Sequence, residues 1–421
     1  MTPEFYRTNR LRLAENMRDN SLALFFSGFA PRKRADEDYP FFSDRNFVYL
    51  TGIARDAGLI LAVKKTNGAA SEKLFLLPPD LLKERWTGRR TKADEAAALS
   101  GIADIGYTAD FEPYFAAALE DVKTVYLDID ETRDVRDHTE AHRFSAAIRE
   151  QFPWLTVENG RPILASLRTV KADCEIAAMR EAVRITGDGI RAMMRGARDG
   201  MKEYEIKMLY DNALVKNGCL EPGFPSIISA GQNNFCIHYY AYQGTARDGD
   251  MVLCDVGACY DFVGCDISRA FPLNGRFSDR QRKLYEAVYA TSQHLFGLIG
   301  PGYPMEEVDR EAKRFCYEYL HDYGLVDRFE NIGKLMWHGG SHHVGFDTHD
   351  IVVRPEKVAP GMVFCVDVGV YCEEWGIGFR LEDNCLVTPT GCENLGAGVP
   401  RTIEEIEDEM KKSEGLLSDI P

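Results

Sequence analysis

DVGACYDFVGCDISR, residues 255–269, places two aspartates, Asp255 and Asp266, eleven positions apart inside apolar runs. The segments VLCDVG and VGCDISRAF around them read as strands, and a hairpin of that length brings both carboxylates to one place. Taken alone the pair has an ordinary explanation, because aspartates flank many turns. Two more strand-like runs lie downstream: MVFCVDVGVY, 362–371, holds Asp367, and GIGFRLEDNCLV, 376–387, holds Glu382. An unpartnered buried carboxylate is costly enough that it neutralises, so several on neighbouring strands call for a cation.

The histidines point the same way. WHGGSHHVGFDTHD, residues 337–350, packs four of the chain's nine histidines into fourteen residues, with glycines between them. A helical HExxH zinc site is excluded, since the glycines break a helix and no Glu follows a His. Four carboxylates and one imidazole suit a pair of oxygen-preferring divalent ions, manganese first, with zinc, cobalt or iron as alternatives. Two ions about 3.5–4 Å apart hold a bridging hydroxide, polarise a scissile carbonyl and stabilise the oxyanion, so a two-metal hydrolase is expected. Cys365, two residues before Asp367, faces the same side of a strand; a thiolate there would favour softer ions, while a core cysteine is the plainer reading.

Outward from these strands, Lys171–Met194 carries Ile176, Met179, Val183, Ile190 and Met194 at helical spacing, interrupted at Thr186 and Gly187. Ser278 with Gln281 makes a capping box, and Pro304 suits the first turn of another helix. Helices alternating with strands make this half α/β. Upstream the chain reads as an amphipathic helix from Pro3 to Arg18. Strand-like LALFFSG from Leu22, FVYLTG from Phe47, GLILAVK from Gly58 and TVYLDI from Thr124 follow, then a helical stretch from His138 to Gln151. That order predicts a mixed sheet covered by helices. With 421 residues, two domains are expected, residues 1–165 and 166–421, divided near Pro162. The fold class is α/β, or α+β in the looser sense.

Composition closes off other classes. An apolar fraction of 45% and a charged fraction of 28% are those of a folded chain. A net charge of −16 disfavours a nucleic-acid partner. The polar start has no signal-peptide core and no apolar run reaches about 20 residues, so no membrane association and a cytoplasmic location are expected. Eleven cysteines without a CxxC pair fit reduced thiols.

At this point the residues resemble the pita-bread metallopeptidases, in particular the Xaa-Pro aminopeptidases, over nearly the whole chain. DVGACYDFVGCDISR looks like the segment with two ligand aspartates, SHHVG like the one with the ligand histidine, and FRLED like the one with the last ligand glutamate. The resemblance therefore implies metal ligands at Asp255, Asp266, His342, Asp367 and Glu382. It also implies substrate-side histidines at His238 in NNFCIHYY and His338 in WHGG, with His349 in THD stabilising the tetrahedral intermediate. Arg380 matches an arginine near the metals, where a salt bridge to a ligand carboxylate is an equal alternative. RKRADEDYPFFSDRNFVYLTG, 32–52, resembles the family's N-terminal domain, which narrows access and often serves dimerisation, so a homodimer is expected. Trp86 in RWTGRR resembles a substrate-side aromatic. The implied substrates are short peptides with proline in second position, from which the first residue is released. Prolidase activity on dipeptides is the near alternative.

One position departs from the pattern. Where the family carries a glutamate in a Glu-Pro-Gly turn, this chain reads Asp367-Val368-Gly369. That glutamate both binds metal and handles the proton of the attacking water. Losing one methylene shortens the arm by about 1.5 Å, against a tolerance of about 0.2 Å in ligand distance. An adjusted strand, a single tight metal, and a non-catalytic binding protein are the three outcomes that follow. A metal-free relative of the creatinase type fits poorly, because this chain largely keeps the ligands such relatives have replaced.

Overall fold

The computed structural model describes residues 1–412. The final stretch of the expected second domain, 413–421, lies outside the described residues. Two compact units divide the chain, Met1–Arg168 and a second beginning at Thr169.

The first unit opens with helix α1, Pro3–Asn16, capped by the Thr2 side chain. Its sheet is built from β1 (Ser21–Phe26), β2 (Ile60–Thr66), β3 (Ala69–Leu76), β4 (Ile105–Tyr107), β5 (Thr124–Leu127) and β6 (Thr156–Asn159), in the order β4-β3-β2-β1-β5-β6. β1 pairs antiparallel with β2 and parallel with β5, so the sheet is mixed. Leu22, Leu24, Phe75, Val125 and Leu127 form its core with Phe111 and Phe115.

FVYLTG is not a strand. Arg45–Thr51 is helix α2. Its aromatic and β-branched residues favour a strand locally, but the Asp44 carboxylate accepts from the backbone N–H of both Asn46 and Phe47, and Gly52 ends the helix at φ 71°. Capping at both ends and complete burial of Phe47, Val48, Tyr49 and Leu50 outweigh propensity.

The second unit begins with helix α3, Asp173–Gly196, which runs unbroken through Thr186 and Gly187. The polar gap in its apolar face has a use: Thr186 Oγ1 accepts from the Ala258 N–H at 2.8 Å, within the DVGACYDFVGCDISR segment. Gly189 lets helix α4, Glu203–Lys216, approach, since a Cβ there would lie 2.4 Å from the Tyr210 ring. The capping box at Ser278 starts helix α5, Asp279–Leu298. Helix α6 covers Glu307–Asp322, so Pro304 precedes it instead of forming its first turn; its backbone bridges to Lys357.

Six strands make the second sheet: β7 (Ile227–Ala230), β8 (Met251–Val256), β9 (Ile267–Pro272), β10 (Val363–Cys372) and β11 (Ile377–Val387), in the order β10-β11-β9-β8-β7, with β12 (Cys392–Asn394) also paired to β11. β8, β9 and β11 are buried along their whole length. Asp255 lies in β8, whereas Asp266 stands one residue before β9.

Candidate metal centre

Strand register builds the site. Asp367 in β10 faces Glu382 in β11, Glu382 faces Ser268 in β9, and Ser268 faces Asp255 in β8. Directly opposed residues share a face of the sheet, so these four side chains form one row across four strands. Cys365, Arg380 and Asn384 lie two residues along their strands and join that face. Asp266 is held at its edge, its N–H donating to Asn384 Oδ1 at 3.0 Å. Alternation sends Arg269 and Asp383 to the reverse face, where they form a fully buried ion pair at 2.7 Å.

The histidine-rich segment docks along the outer edge of β10. The Cys365 N–H donates to the His342 carbonyl at 2.8 Å, and the Val344 N–H to that of Val363 at 3.3 Å. Its glycines permit the approach: a Cβ on Gly340 would fall 2.2 Å from the Asp367 Cβ. His342 Nε2 thereby comes 3.5 Å from Asp266 Oδ2 and 3.6 Å from Glu382 Oε1. His338 Nδ1 lies 3.2 Å from Asp367 Oδ2, and its Nε2 lies 3.0 Å from Tyr371 Oη. Arg380 donates to Asp255 Oδ2, to Tyr371 Oη at 3.2 Å and to the Ile237 carbonyl at 3.1 Å. That last bond ties down the residue before His238.

His238 and His349 are exposed. The His349 ring sits 4.2 Å from that of His342, and His238 stacks on Tyr240. Trp86 belongs to the first unit, on the short helix Leu81–Thr87, with 89% of its surface open.

One oxygen on each of three aspartates, Oδ1 of Asp255, Asp266 and Asp367, is buried with no hydrogen-bond partner. Leaving three such acceptors unmet is costly, and cations satisfy them. Donor atoms of Asp266, His342, Cys365 and Glu382 also lie within 4.8 Å of one another. The residues present therefore fit divalent metal ions.

Without a cation, crowding sets the protonation. Burial, then the neighbouring Glu382 charge, pushes the carboxyls of Asp266 and Asp367 well above the usual range. Burial would raise Glu382 too, but its pairing with His342 prevails and holds it down at about 2; the same pairing raises His342 against the effect of burial. Burial followed by the Arg380 charge lowers His338 to about 4, so its ring is neutral at physiological pH.

Three contributors escaped the sequence reading: Ser268, which donates to Glu382 Oε2 at 2.9 Å, Asn384 and Tyr371. Counting by twos along the strands from Asp266, Glu382 and Asp367 reaches all three.

Comparison with known proteins agrees with this architecture. The profile of metallopeptidase family M24 matches residues 177–389, and that of the aminopeptidase P N-terminal domain matches 6–126. An Xaa-Pro aminopeptidase of Escherichia coli is 31% identical, over 96% of both chains. A solved Bacillus anthracis chain assigned as an aminopeptidase P has a TM-score of 0.96 at 35% identity, covering 98% of this chain and 99% of that one. Zinc-substituted aminopeptidase P of E. coli in complex with product gives a TM-score of 0.90 at 28% identity, covering 99% of each. A row of metal-seeking carboxylates on this sheet, together with these likenesses, makes the chain a metallopeptidase belonging to family M24, in its Xaa-Pro aminopeptidase branch with the pita-bread fold.

Proposed function

We propose that the chain releases the N-terminal residue from short peptides whose second residue is proline, with Asp255, Asp266, His342, Asp367 and Glu382 holding two divalent ions. The observation that carries this reading is the row of buried carboxylates with three unmet oxygens. The family likeness supplies the substrate class. The binding-protein outcome raised by Asp367 is not favoured, because every other expected ligand is retained and His342 converges on Asp266 and Glu382. Manganese is the proposed metal, the cytoplasm the proposed location and a homodimer the proposed assembly. Among the described residues no helix is long and apolar enough to cross a membrane.

Bound metal ions supply Lewis acidity and lower the pKa of water at the site. The protein's own groups do the rest. Asp367, ionised when metal is bound, takes the proton of the attacking water and passes it toward the leaving amine. His338, neutral and bonded to Tyr371, orients that carboxyl through Nδ1. His349, open to solvent beside His342, is placed to donate toward the developing oxyanion. Arg380 fixes Asp255 and ties it to the backbone ahead of His238.

Release of the first residue from Xaa-Pro-Yaa tripeptides, by stripped protein with and without added manganese, cobalt or zinc, tests this reading. Metal-dependent cleavage of tripeptides is expected. Cleavage of Xaa-Pro dipeptides alone would make the enzyme a prolidase. No turnover with any metal, from protein shown to be folded, would overturn the enzymatic reading.

A further inference from the structure

Cys365 has a place the ligand set above does not use. It lies in the interior of β10 with none of its surface exposed. Its sulfur is within 4.8 Å of ligand atoms from Asp266, His342 and Glu382, all three already assigned to metal. Asn384, which faces Cys365 across the strands, donates Nδ2–H to Sγ at 3.3 Å while its own Oδ1 fixes the Asp266 backbone. Independently of the cysteine, Asp266 is 5% exposed and its Oδ1 finds no partner, so the same cluster contains an acceptor in need of a cation.

We propose that Cys365 Sγ is a ligand of the cation held by Asp266, His342 and Glu382, giving one of the two metal positions a soft donor. One nitrogen, two carboxylate oxygens and one sulfur form a four-donor set that zinc and cobalt accept readily, with bonds of about 2.0–2.3 Å. Manganese prefers an all-oxygen and imidazole shell. The position with Cys365 therefore selects zinc or cobalt over manganese. Coordination releases the thiol proton to solvent. The Asn384 amide steadies the sulfur from outside the shell, as outer partners do for metal ligands.

This inference rests on the metallopeptidase reading, and the test separates the two. Metal-stripped full-length protein is titrated with cobalt(II), with bound metal counted directly and the near-ultraviolet region watched for thiolate-to-cobalt charge-transfer absorption. Cys365→Ser and Cys365→Ala are carried in parallel, each checked for native circular dichroism. Wild type is expected to show the absorption with the first equivalent, and both variants to bind cobalt without it. In zinc-against-manganese competition the variants should lose at least about tenfold of the wild-type preference for zinc, the lower end of what losing an outer partner costs. Cobalt bound by wild type without the absorption, or an absorption that survives both substitutions, makes Cys365 a core thiol and overturns the inference while the metal centre stands. Failure of folded wild type to bind cobalt at all overturns both.

Discussion

The carboxylates of the site are prepared differently. Asp266 and Glu382 converge with His342 and Cys365. The aspartates at the two ends of the row each already have a nitrogen against one oxygen: Arg380 bonds Asp255, and the neutral His338 lies against Asp367. Each row-end aspartate thus leaves a single buried oxygen unmet. A cation therefore gains most among Asp266, His342 and Glu382, and a second ion drawing on the row-end aspartates is expected to fill later and more weakly.

Substitutions in the two groups should break this comparison most sharply. Asp266→Asn is expected to remove bound metal from both positions, read by metal analysis after gel filtration. Asp367→Asn should retain about one equivalent beside Asp266 and His342, yet lower kcat by about 10²–10⁴-fold, the range for loss of a proton-transfer group. Equal metal loss from both variants would mean that the two groups are not distinct.

The next test concerns how a short arm reaches its metal. Gly340 lets the histidine segment press against the Asp367 Cβ, an approach any side chain would block. If that closeness compensates for the missing methylene, Asp367→Glu should overshoot instead of repairing the site, lowering kcat/KM by about 10²-fold, as a 1 Å misplacement does. Gly340→Ala should cost about 1–3 kcal/mol through overpacking, seen in urea unfolding, and should weaken the second metal. A faster Asp367→Glu enzyme would show that the strand has not adjusted.

Smaller again is the effect of metal on stability. At a concentration near 100 times its dissociation constant, each metal should add about 2.7 kcal/mol. A unit of this size gains about 2–4 °C in Tm per kcal/mol. Calorimetry of stripped protein should show the melting of the second unit rise on adding metal while that of the first does not move.

Much of the site was legible because its chemistry offends against sequence rules: acids inside apolar runs, and histidines among glycines. The fold was legible where period and capping agreed, as in the helix that begins the second unit. FVYLTG misled because composition and capping disagreed there, and Asp44 with Gly52 decided it. Ser268, Asn384 and Tyr371 stayed hidden for another reason. Their residue types are ordinary, and only the register that sets Ser268 opposite Glu382 gives them a role. The approach of Gly340 to Asp367 is a contact between distant segments, which no local pattern encodes.

The finest distinction between empty and loaded site is its pH dependence. In stripped protein Asp266 and Asp367 keep protons that the unfolded chain releases above its value of 3.8, and His342, also raised, keeps one above 6.5. Burial lowers His338 and His343 to about 4, so they refuse protons that the unfolded chain binds below 6.5. Burial also lowers His349, so between about 4 and 6.5 three histidines favour folding as pH rises while the two aspartates oppose it. Above 6.5 the unfolded histidines are neutral as well, and the raised His342 still binds its proton when folded. Stability falls wherever the folded state holds the extra protons. Stripped protein should therefore gain Tm slightly toward about pH 6.5 and lose stability above it. Metal displaces those protons, so loaded protein should hold its Tm through neutral pH. A parallel decline in both forms would place the sensitive groups outside the carboxylate row.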